Sequence, residues 1–480
     1  MIPKGKAMDS YKLFIDGSWQ DSQNLRQIRS PFDGRIVGEV YFAEKSQVEK
    51  AIAAAHGAFG TTKRLASFER SRALEIVSEE IGRRREDFAR SIALQAGKPI
   101  CDSRLEVDRA VNTFRVAAEE AKRFGGEIIP LDLVPTAKNR WGLTRHFPLG
   151  SVAAITPFNF PLNLVAHKVA PAMAVGNPVI LRPSSQVPIT ALLLAEVISR
   201  TDYPRGGFNA VPAGYRESEP LLDDDRVKML TFTGSPAIGW ELKKKANKKK
   251  VTLELGGNAA VVVEPDADLE LAVPRIVTGS FSYAGQICIS IQRIFLHEKI
   301  YDRFMADFLE RAKKLRLGDP LEETTDIGPM IDEASARKIE AWIGQAVTEG
   351  ARLLCGGARK GTMVEPAVLE NVKPELPISW LEAFAPVVVV YPYKEFEAAL
   401  EAVNYSIYGL QAGVFTRDLA KAFQAYEVLD VGGVIINDIP TFRLDHMPYG
   451  GVKESGFGRE GVRYAMEEMT ELKLLALNPK

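Results

Sequence analysis

The sequence has few cysteines and almost no net charge. Its three cysteines, Cys101, Cys288 and Cys355, are too few and too far apart for a disulfide framework. No CxxC pair and no HExxH motif occurs, so a zinc site is not expected. Lys and Arg number 61 and Asp and Glu number 62, giving a net charge of -1, which excludes the polybasic surface of a nucleic-acid-binding protein.

Long, purely apolar runs are also missing. The most apolar long stretch, residues 151–181, contains three asparagines, a histidine, a lysine and four prolines, a mixture that no membrane helix would tolerate. The first residues lack the apolar core of a signal peptide. We therefore expect a soluble cytoplasmic protein with no membrane, nucleic-acid or metal partner. Its 480 residues predict two or three domains.

Helical and β-rich patterns alternate along most of the chain. Short strands are expected over residues 11–41, and four helices are expected between residues 46 and 124. From residue 151 onward, buried β-runs alternate with helices, which is typical of the α/β class with a doubly wound parallel sheet. A second α/β series starts near Gly256, and residues 470–477 are expected to form a terminal strand.

Two glycine-containing segments are candidates for phosphate binding. The GxGxxG match at residues 456–461 is rejected, because the chain ends before the βαβ unit that such a loop requires. In residues 232–239, a β-run ends at Thr233, Gly234 gives a turn, and Pro236 suits the first turn of a helix. The free N–H groups and the dipole of that helix would attract a phosphate, although an ordinary helix cap explains the pattern equally well.

Three residues are candidates for chemistry, and each also has an ordinary structural explanation. A single cysteine such as Cys288 is more often a small buried apolar residue than a nucleophile. Glu254 ends a β-run beside two glycines, an unusual place for a solvated charge, but a cap or an ion pair would also explain it. Asn159, between two aromatic residues and two prolines, has the context of a turn.

Taken together and in this order, six motifs resemble those of the aldehyde dehydrogenase superfamily over essentially the whole chain. They are PFNFP at 157–161, FTGS at 232–235 with Gly239, LELGG at 253–257, GQIC at 285–288, EAFAP at 382–386 and PYGGVKESG at 448–456. Six motifs in the same order make a chance match implausible. The segment FRLDHMP at 442–448 is most similar to the branch that acts on lactaldehyde and glyceraldehyde 3-phosphate.

The resemblance implies an aldehyde-dehydrogenase-like α/β fold with three regions. Residues 1–124 and 148–255 would form a Rossmann-like dinucleotide-binding domain, and residues 256–440 an α/β catalytic domain carrying Cys288. Residues 125–147 and 460–480 would form a small β extension for oligomerisation. A homodimer or a homotetramer is therefore expected.

The resemblance also implies the NAD(P)-dependent oxidation of a small polar aldehyde to its carboxylic acid. Cys288 would attack the aldehyde as a thiolate, and the Asn159 amide and the Cys288 backbone N–H would stabilise the oxyanion. After hydride transfer, Glu254 would activate the water that hydrolyses the thioester. CoA-acylating chemistry, which needs no hydrolytic base, is an alternative that Glu254 argues against. A non-catalytic relative with a structural or binding role is another, which the intact Cys288, Asn159 and Glu254 disfavour.

By the same resemblance, one set of residues would bind the cofactor: Thr156, Pro157, Phe158, Arg182, Ser185, Gly234, Ser235, Leu255, Gly256, Glu382 and Phe384. Ser235 would contact the pyrophosphate, Glu382 the nicotinamide ribose, and Arg182 the region of the adenosine ribose. Arg182 stands where the family usually has Lys, and Ser185 stands where NAD-preferring members often have Glu. We therefore expect NADP to be used at least as well as NAD.

Four cationic residues are candidate substrate contacts. Arg109 and Arg115 lie in the helix predicted over residues 101–124, which borders the substrate tunnel in this family. Arg443 and His446 lie in the loop before Pro448. A cationic rim formed by these residues would favour an aldehyde with a phosphate or carboxylate group, although solvated surface charges would explain them equally well.

Overall fold

Two large sheets, one of eight strands and one of seven, form the framework of the protein. The computed structural model describes residues 10–479, so residues 1–9 and 480 of the predicted regions lie outside the described part. Fifteen α-helices occur within residues 10–479: α1 (Lys45–Thr62), α2 (Ser67–Arg83), α3 (Arg85–Ala96), α4 (Ile100–Arg123), α5 (Asn163–Val175), α6 (Pro188–Ile198), α7 (Pro220–Asp223), α8 (Pro236–Lys245), α9 (Leu269–Phe281), α10 (Tyr301–Lys313), α11 (Glu333–Thr348), α12 (Pro377–Trp380), α13 (Phe396–Asn404), α14 (Leu419–Val428) and α15 (Val462–Glu468).

The strands alternate with these helices along most of the chain. The described residues contain twenty-five of them: β1 (Ser10–Tyr11), β2 (Leu13–Ile15), β3 (Ser18–Gln20), β4 (Asn24–Arg29), β5 (Ile36–Phe42), β6 (Ile128–Pro130), β7 (Trp141–Pro148), β8 (Ser151–Ile155), β9 (Val179–Arg182), β10 (Phe208–Ala210), β11 (Val227–Thr233), β12 (Lys250–Glu254), β13 (Ala259–Val263), β14 (Ile291–His297), β15 (Arg352–Cys355), β16 (Arg359–Lys360), β17 (Met363–Val364), β18 (Ala367–Glu370), β19 (Val387–Tyr393), β20 (Tyr408–Gly409), β21 (Gln411–Phe415), β22 (Gly433–Ile436), β23 (Val452–Lys453), β24 (Gly456–Phe457) and β25 (Thr470–Leu477).

The first large sheet has the strand order β24-β12-β11-β8-β9-β10-β2-β3. Its five central strands run parallel, as predicted for a doubly wound sheet, and helices cover them. All five residues of β8 are buried, which explains why this strand is a continuous apolar run in the sequence. The edges differ from the prediction, because β2, β3 and β24 pair antiparallel with their neighbours.

The second large sheet has the order β15-β18-β19-β14-β13-β21-β22, and all neighbours except β15 and β18 run parallel. Its core joins valines of β13 and β19 to phenylalanines of α9 and α10. The chain passes from the first sheet to the second within residues 255–258, between the end of β12 and the start of β13. The carboxyl ends of the parallel strands of the first sheet therefore face this crossing, where open α/β sheets bind their ligands.

A third, antiparallel sheet joins distant parts of the chain in the order β25-β7-β6. β25 pairs with β7 along its whole length, from Thr470 opposite Pro148 to Leu477 opposite Trp141. Strands from both segments of the predicted oligomerisation extension thus lie in one sheet, although the domain boundaries themselves stay predictions. Across residues 10–479, no helix is both long enough and apolar enough to cross a membrane.

Candidate active site

Cys288 follows a tight turn that precedes β14. In this turn, Tyr283 and Ala284 adopt left-handed backbone angles with φ of 51° and 52°, and Gly285 follows with φ of 68°. A Cβ atom on Gly285 would lie 2.1 Å from the carbonyl oxygen of Ala385, so only glycine fits at this close approach. The turn therefore holds the segment that carries Cys288 against the loop before β19.

The thiol of Cys288 contacts a tyrosine. Its Sγ lies 3.0 Å from the Oη of Tyr449. Burial raises the pKa of the Cys288 thiol to about 11, and the Tyr449 hydroxyl and the Arg443 guanidinium oppose this rise. The guanidinium carbon of Arg443 lies 3.5 Å from the centroid of the Tyr449 ring. The raised pKa favours the protonated thiol of Cys288. The Cys288 sulfur contacts the Tyr449 hydroxyl, and the Arg443 guanidinium lies against the Tyr449 ring.

Glu254 ends β12 and is only 2% exposed. Neither of its carboxyl oxygens has a hydrogen-bond partner among residues 10–479. Burial, and next the charge of Glu460, raise the pKa of Glu254 well above its ordinary value, while Arg443 and Lys168 act in the opposite direction. A buried, unpaired carboxyl group of this kind is expensive for the fold and is typical of an acid or base with a functional role.

Asn159 lies beside the segment that carries Cys288. Its buried amide Nδ2 donates a hydrogen bond of 3.0 Å to the carbonyl oxygen of Gln286, two residues before the cysteine. An amide nitrogen has two hydrogens, so one N–H of Asn159 remains for a ligand. The Oδ1 atom has no hydrogen-bond partner among the described residues.

A buried ionic network that we did not predict from the sequence surrounds Glu254. Glu460 accepts hydrogen bonds from Lys168 Nζ at 2.7 Å and from Arg443 Nη2 at 3.3 Å, and Lys168 also donates to Thr231 Oγ1 at 3.0 Å. Burial alone would raise the pKa of Glu460, but Lys168 and Arg443 outweigh it and lower that pKa. Glu460 is therefore the ionised member and Glu254 the proton-binding member of a carboxyl pair.

A cavity of about 200 Å³ leads to Cys288. The residues that line it include three aromatic residues, Phe160, Tyr283 and Tyr449, and two arginines, Arg109 and Arg443. The Nε atoms of both arginines are buried and have no hydrogen-bond partner in the described part of the chain. Two arginine side chains therefore line an otherwise largely aromatic cavity, and each has one buried Nε–H without a partner among residues 10–479.

Both of these arginines also hold a carboxylate. Arg109 Nη2 donates to Asp445 Oδ1 at 2.8 Å, and Asp445 accepts further hydrogen bonds from Asn163 and His167. The Arg443 side chain is only 6% exposed, so it forms part of the wall and not of an exposed rim. The prediction that Arg443 belongs to an exposed cationic rim is therefore wrong.

The structure does not bring Arg115 and His446 to this cavity. Arg115 is exposed and donates to Asn112 at 2.7 Å, and His446 is exposed in its loop. Arg115 lies six positions after Arg109 in α4, which places their side chains about 120° apart around the helix axis. Only two of the four predicted substrate contacts, Arg109 and Arg443, therefore share a cavity with Cys288.

The predicted phosphate site lies between β11 and α8. β11 ends at Thr233 and α8 begins at Pro236, as the sequence predicts, and Ser235 is the N-cap residue with no side-chain cap bond. The first N–H groups of a helix have no intrahelical acceptor, so this end of α8 suits an anion. The buried hydroxyl groups of Thr156 and Thr233, at the ends of neighbouring strands, also have no hydrogen-bond partner among the described residues.

An apolar slot lies beside this helix end. Its walls include Ile155, Phe232 and Ile238, and Arg182 also lines it. Arg182 Nε donates to the carbonyl oxygen of Ala213 at 3.1 Å.

Among the other predicted cofactor residues, Ser185 is exposed just after β9, and Pro157 is half-buried. The Gly234 N–H donates to the carbonyl oxygen of Glu254, and buried Leu255 packs closely against Gly239 of α8.

Glu382 and two phenylalanines lie on the opposite flank. Glu382 Oε1 accepts a hydrogen bond of 3.0 Å from the Gly257 N–H, and a Cβ atom on Gly256 would lie 2.4 Å from Glu382 Oε2. Burial raises the pKa of Glu382 to about 7, against the Gly257 hydrogen bond and Lys338. The rings of Phe158 and Phe384 meet edge to face, with centroids 5.9 Å apart. An anion site, an apolar slot and this carboxylate together fit a dinucleotide such as NAD(P).

No group of three or more His, Cys, Asp or Glu residues between positions 10 and 479 is arranged to hold a metal ion.

Comparison with known proteins identifies the family. The model of the aldehyde dehydrogenase family matches residues 19–475. The 3-sulfolactaldehyde dehydrogenase of Priestia aryabhattai is 44% identical over 469 residues, which cover 98% of this chain and 98% of that protein.

Two solved structures are also similar over nearly their whole length. Aldehyde dehydrogenase 21 from Physcomitrella patens, in complex with its reaction product succinate, has a TM-score of 0.97 and 43% identity, covering 98% of this chain and 99% of that chain. Glyceraldehyde-3-phosphate dehydrogenase GapN from Methanocaldococcus jannaschii, complexed with NADP, has a TM-score of 0.91 and 38% identity, covering 95% and 99%. The predicted family and its branch are confirmed. The chain belongs to the aldehyde dehydrogenase family and is an NAD(P)-dependent aldehyde dehydrogenase.

Proposed function

We propose that this enzyme oxidises a small polar aldehyde bearing an anionic group, with Cys288, Glu254 and Asn159 as its catalytic residues. The observation that carries the choice of substrate is that two arginines, Arg109 and Arg443, line the cavity that leads to Cys288, and that the buried Nε–H of each has no partner among residues 10–479. A buried N–H without an acceptor costs free energy, which an anionic group of the substrate would recover. The compounds named for three relatives, 3-sulfolactaldehyde, succinate and glyceraldehyde 3-phosphate, are anionic, whereas lactaldehyde, named for a relative that is 41% identical, is neutral.

Cys288 supplies the nucleophile in this proposal. Its thiolate attacks the aldehyde carbon, and the oxygen of the aldehyde gains negative charge. The uncommitted N–H of Asn159 and the backbone N–H of Cys288 donate to this oxygen, and donors already held in place need no reorganisation. When bound, NAD(P) supplies the hydride acceptor, and the acyl group then remains on Cys288 as a thioester.

Glu254 supplies the base for the second half of the reaction. A general base works best when its pKa is near the working pH, and burial together with ionised Glu460 raises the pKa of Glu254 in that direction. Deprotonated Glu254 removes a proton from water, which attacks the thioester and releases the carboxylic acid. CoA-acylating chemistry would give such a costly buried carboxyl group no task, so Glu254 favours hydrolysis.

The cofactor residues would divide between the two flanks of the site. Ser235 and the start of α8 would hold the pyrophosphate, Glu382 the nicotinamide ribose, and Arg182 the adenosine ribose. Ser185 is exposed near Arg182 and carries no negative charge that would repel a 2′-phosphate. The enzyme is therefore proposed to use NADP at least as well as NAD.

The enzyme is further proposed to form a homodimer or homotetramer and to act in the cytoplasm. The edge strand β25 exposes Leu472, Leu474 and Leu475 by 60%, 53% and 54%, and a long, exposed apolar edge strand favours association. The helix α14 adds further exposed apolar side chains. The three cysteines are free thiols, which is consistent with a reducing compartment.

Replacing Glu254 by Gln should separate the two halves of the reaction. Gln keeps the shape of Glu254 and cannot accept the proton, so one turnover per site should give a burst of reduced cofactor. The steady rate after the burst should be lower by about a hundred-fold, the scale of a lost general base. Mass spectrometry should find the acyl group on Cys288, and the Cys288→Ala variant should show no burst.

The pH dependence of the wild-type hydrolysis rate is a second test of the role of Glu254. Because the pKa of Glu254 is raised, its base form is lost as pH falls through that pKa, so hydrolysis should slow on the acid side. If Glu254 instead deprotonates Cys288, the Glu254→Gln variant should show a slow burst, no adduct and recovery at high pH. That pattern would contradict the assignment of Glu254 to hydrolysis.

Removing Arg109 should affect anionic aldehydes more than neutral ones. In the Arg109→Met variant, KM for glyceraldehyde 3-phosphate and succinic semialdehyde should rise by about ten-fold or more, because a charge-assisted hydrogen bond is lost. KM for simple aliphatic aldehydes should change little. The matched control is Arg115→Met, on the same helix but outside the cavity. Equal effects of Arg109→Met on both substrate classes would contradict an anionic substrate.

A negative charge at position 185 should shift cofactor preference. In the Ser185→Glu variant, kcat/KM for NADP relative to NAD should fall by about ten-fold or more, since the new carboxylate repels the 2′-phosphate and accepts from the 2′-OH. The measurement is the absorbance of reduced nicotinamide at matched cofactor concentrations. The exposed neighbour Gln186 gives the control variant Gln186→Glu. A wild-type enzyme that strongly prefers NAD would contradict the proposal.

Charges on the edge strand should disrupt the oligomer. Sedimentation velocity should find the wild type as a dimer or tetramer, and the Leu472→Lys/Leu474→Lys variant should shift towards the monomer, because buried lysines without partners are costly. Leu271→Lys, at an exposed leucine in α9, is the control and should keep the oligomer. A monomeric wild type would refute this part of the proposal.

A further inference from the structure

A continuous chain of buried contacts leads from an ion pair to the sulfur of Cys288. The Tyr449 hydroxyl lies 3.0 Å from Sγ, and the Arg443 guanidinium lies over the ring of Tyr449 at 3.5 Å. Arg443 in turn reaches Glu460 at 3.3 Å, and Glu460 is held by Lys168 at 2.7 Å. Each of these side chains other than that of Cys288 is almost completely buried.

The Tyr449 hydroxyl can donate a hydrogen bond to Cys288 both when Cys288 is a thiol and when it is a thiolate. Burial, and next the charge of Cys288, raise the pKa of Tyr449 well above its ordinary value, so Tyr449 keeps its proton. With a neutral thiol, either Oη or Sγ could donate. Once Cys288 is a thiolate, only Tyr449 can donate, and a hydrogen bond to an ionised acceptor is stronger than one to a neutral acceptor.

Arg443 determines where that donor points. Attraction between its guanidinium and the face of the Tyr449 ring fixes the plane of the ring, and the salt bridge to Glu460 fixes the guanidinium. The carboxyl groups of Glu382 and Glu254 also act on the thiol, and each opposes thiolate formation when it is ionised. The Tyr449 hydrogen bond therefore works against two nearby carboxyl groups as well as against burial.

We propose that Tyr449 is a catalytic residue that donates its hydroxyl hydrogen to the Cys288 thiolate, and that Arg443 is a positioning residue that acts through the Tyr449 ring. The inference rests on the proposed role of Cys288 as nucleophile. As the sulfur bonds to the aldehyde carbon, it loses its negative charge and the hydrogen bond weakens. Tyr449 thus stabilises and orients the Cys288 thiolate before it attacks the aldehyde, and Tyr449 itself does not become part of the product.

This hydrogen bond has opposite effects at neutral and at high pH. At neutral pH it increases the thiolate fraction, and the loss of intrinsic nucleophilicity is smaller, because nucleophilicity changes with only about half the slope of the pKa. Above the thiol pKa, Cys288 is fully ionised in any case, and the hydrogen bond only reduces its reactivity. The rate profiles of enzymes with and without the hydroxyl should therefore cross.

Alkylation of Cys288 by iodoacetamide, followed across pH on the full-length enzyme, tests the donor directly. In the Tyr449→Phe variant the rate at neutral pH should fall by about three- to ten-fold, the apparent thiol pKa should rise, and at high pH the variant should react faster than the wild type. Mass spectrometry assigns the label, with Cys101 and Cys355 as internal references. Identical profiles for wild type and variant would overturn the role of Tyr449.

Tyr283→Phe is the matched control. Tyr283 lines the same cavity, but its hydroxyl donates to the carbonyl oxygen of Ala96 at 3.0 Å and not to sulfur. Removing that hydroxyl should leave the alkylation profile of Cys288 unchanged. A shift as large as that of Tyr449→Phe would mean that cavity packing, and not a hydrogen bond, controls the thiol.

A double-mutant cycle tests the role of Arg443. Arg443→Lys keeps the charge and loses the planar group, so it should raise the apparent pKa of the Cys288 thiol when Tyr449 is present and have no effect in the Tyr449→Phe background. Equal effects in both backgrounds, or no effect in either, would overturn the claim that Arg443 acts through the ring. Thermal unfolding of each variant checks that the fold is kept.

The alkylation experiment needs no aldehyde, so its outcome is independent of the substrate. If Cys288→Ala retained dehydrogenase activity, the proposed function would fail whatever the alkylation profiles show. If Cys288→Ala is inactive and Tyr449→Phe alkylates like the wild type, only the present inference fails.

Discussion

The ionised state of Glu460 is the constraint on which the rest of the site depends. A carboxylate buried to this extent needs cations, and it has two of them, one from α5 and one from the loop at residue 443. The negative charge of Glu460 raises the pKa of Glu254 and so favours the protonated form of Glu254, whose carboxyl oxygens have no hydrogen-bond partner among residues 10–479. Buried ion pairs contribute little net stability, so the network is better explained by what it does to Glu254 and Arg443 than by the stability of the fold.

Close approaches of the backbone make this arrangement possible. Where the chain crosses between the two large sheets, Gly256 leaves room for the carboxylate of Glu382, and the next N–H donates to that carboxylate. The turn at Gly285 brings the cysteine segment against the loop before β19. A side chain at either glycine would occupy the space of these groups, so the positions of Glu382 and Cys288 follow from the absence of a Cβ atom.

The sequence predicts local elements well, because they depend on local patterns. The bounds of β25 agree with the predicted strand 470–477, and α8 begins where Pro236 suggests. Strand direction at the sheet edges was not predictable, since an apolar run such as Leu13–Ile15 has the same pattern in either direction. The segment Gly456–Phe457 resembles a phosphate loop and is in fact an edge strand.

The site shows the same division between local and long-range information. Motifs single out Cys288, Glu254 and Asn159, whereas the contact between Cys288 and Tyr449 joins residues 161 positions apart, which no local pattern encodes. Lys168 was visible only as a charge inside an apolar stretch, and Glu460 only as part of a rejected glycine motif. The burial of Arg443 likewise depends on tertiary packing, and the sequence alone suggested an exposed charge.

Arginine suits position 443 because its guanidinium offers three separate contact surfaces. One Nη atom binds Glu460, the planar face lies on the ring of Tyr449, and the Nε–H remains unsatisfied in a side chain that lines the cavity. These contacts use different parts of one rigid group, so an anion bound at Nε would displace neither of the other two. A lysine would offer one point charge, for which Glu460 and the substrate would compete. Under the proposed function, this one side chain would connect the pKa of the base Glu254, the orientation of the nucleophile Cys288 and the binding of an anionic substrate.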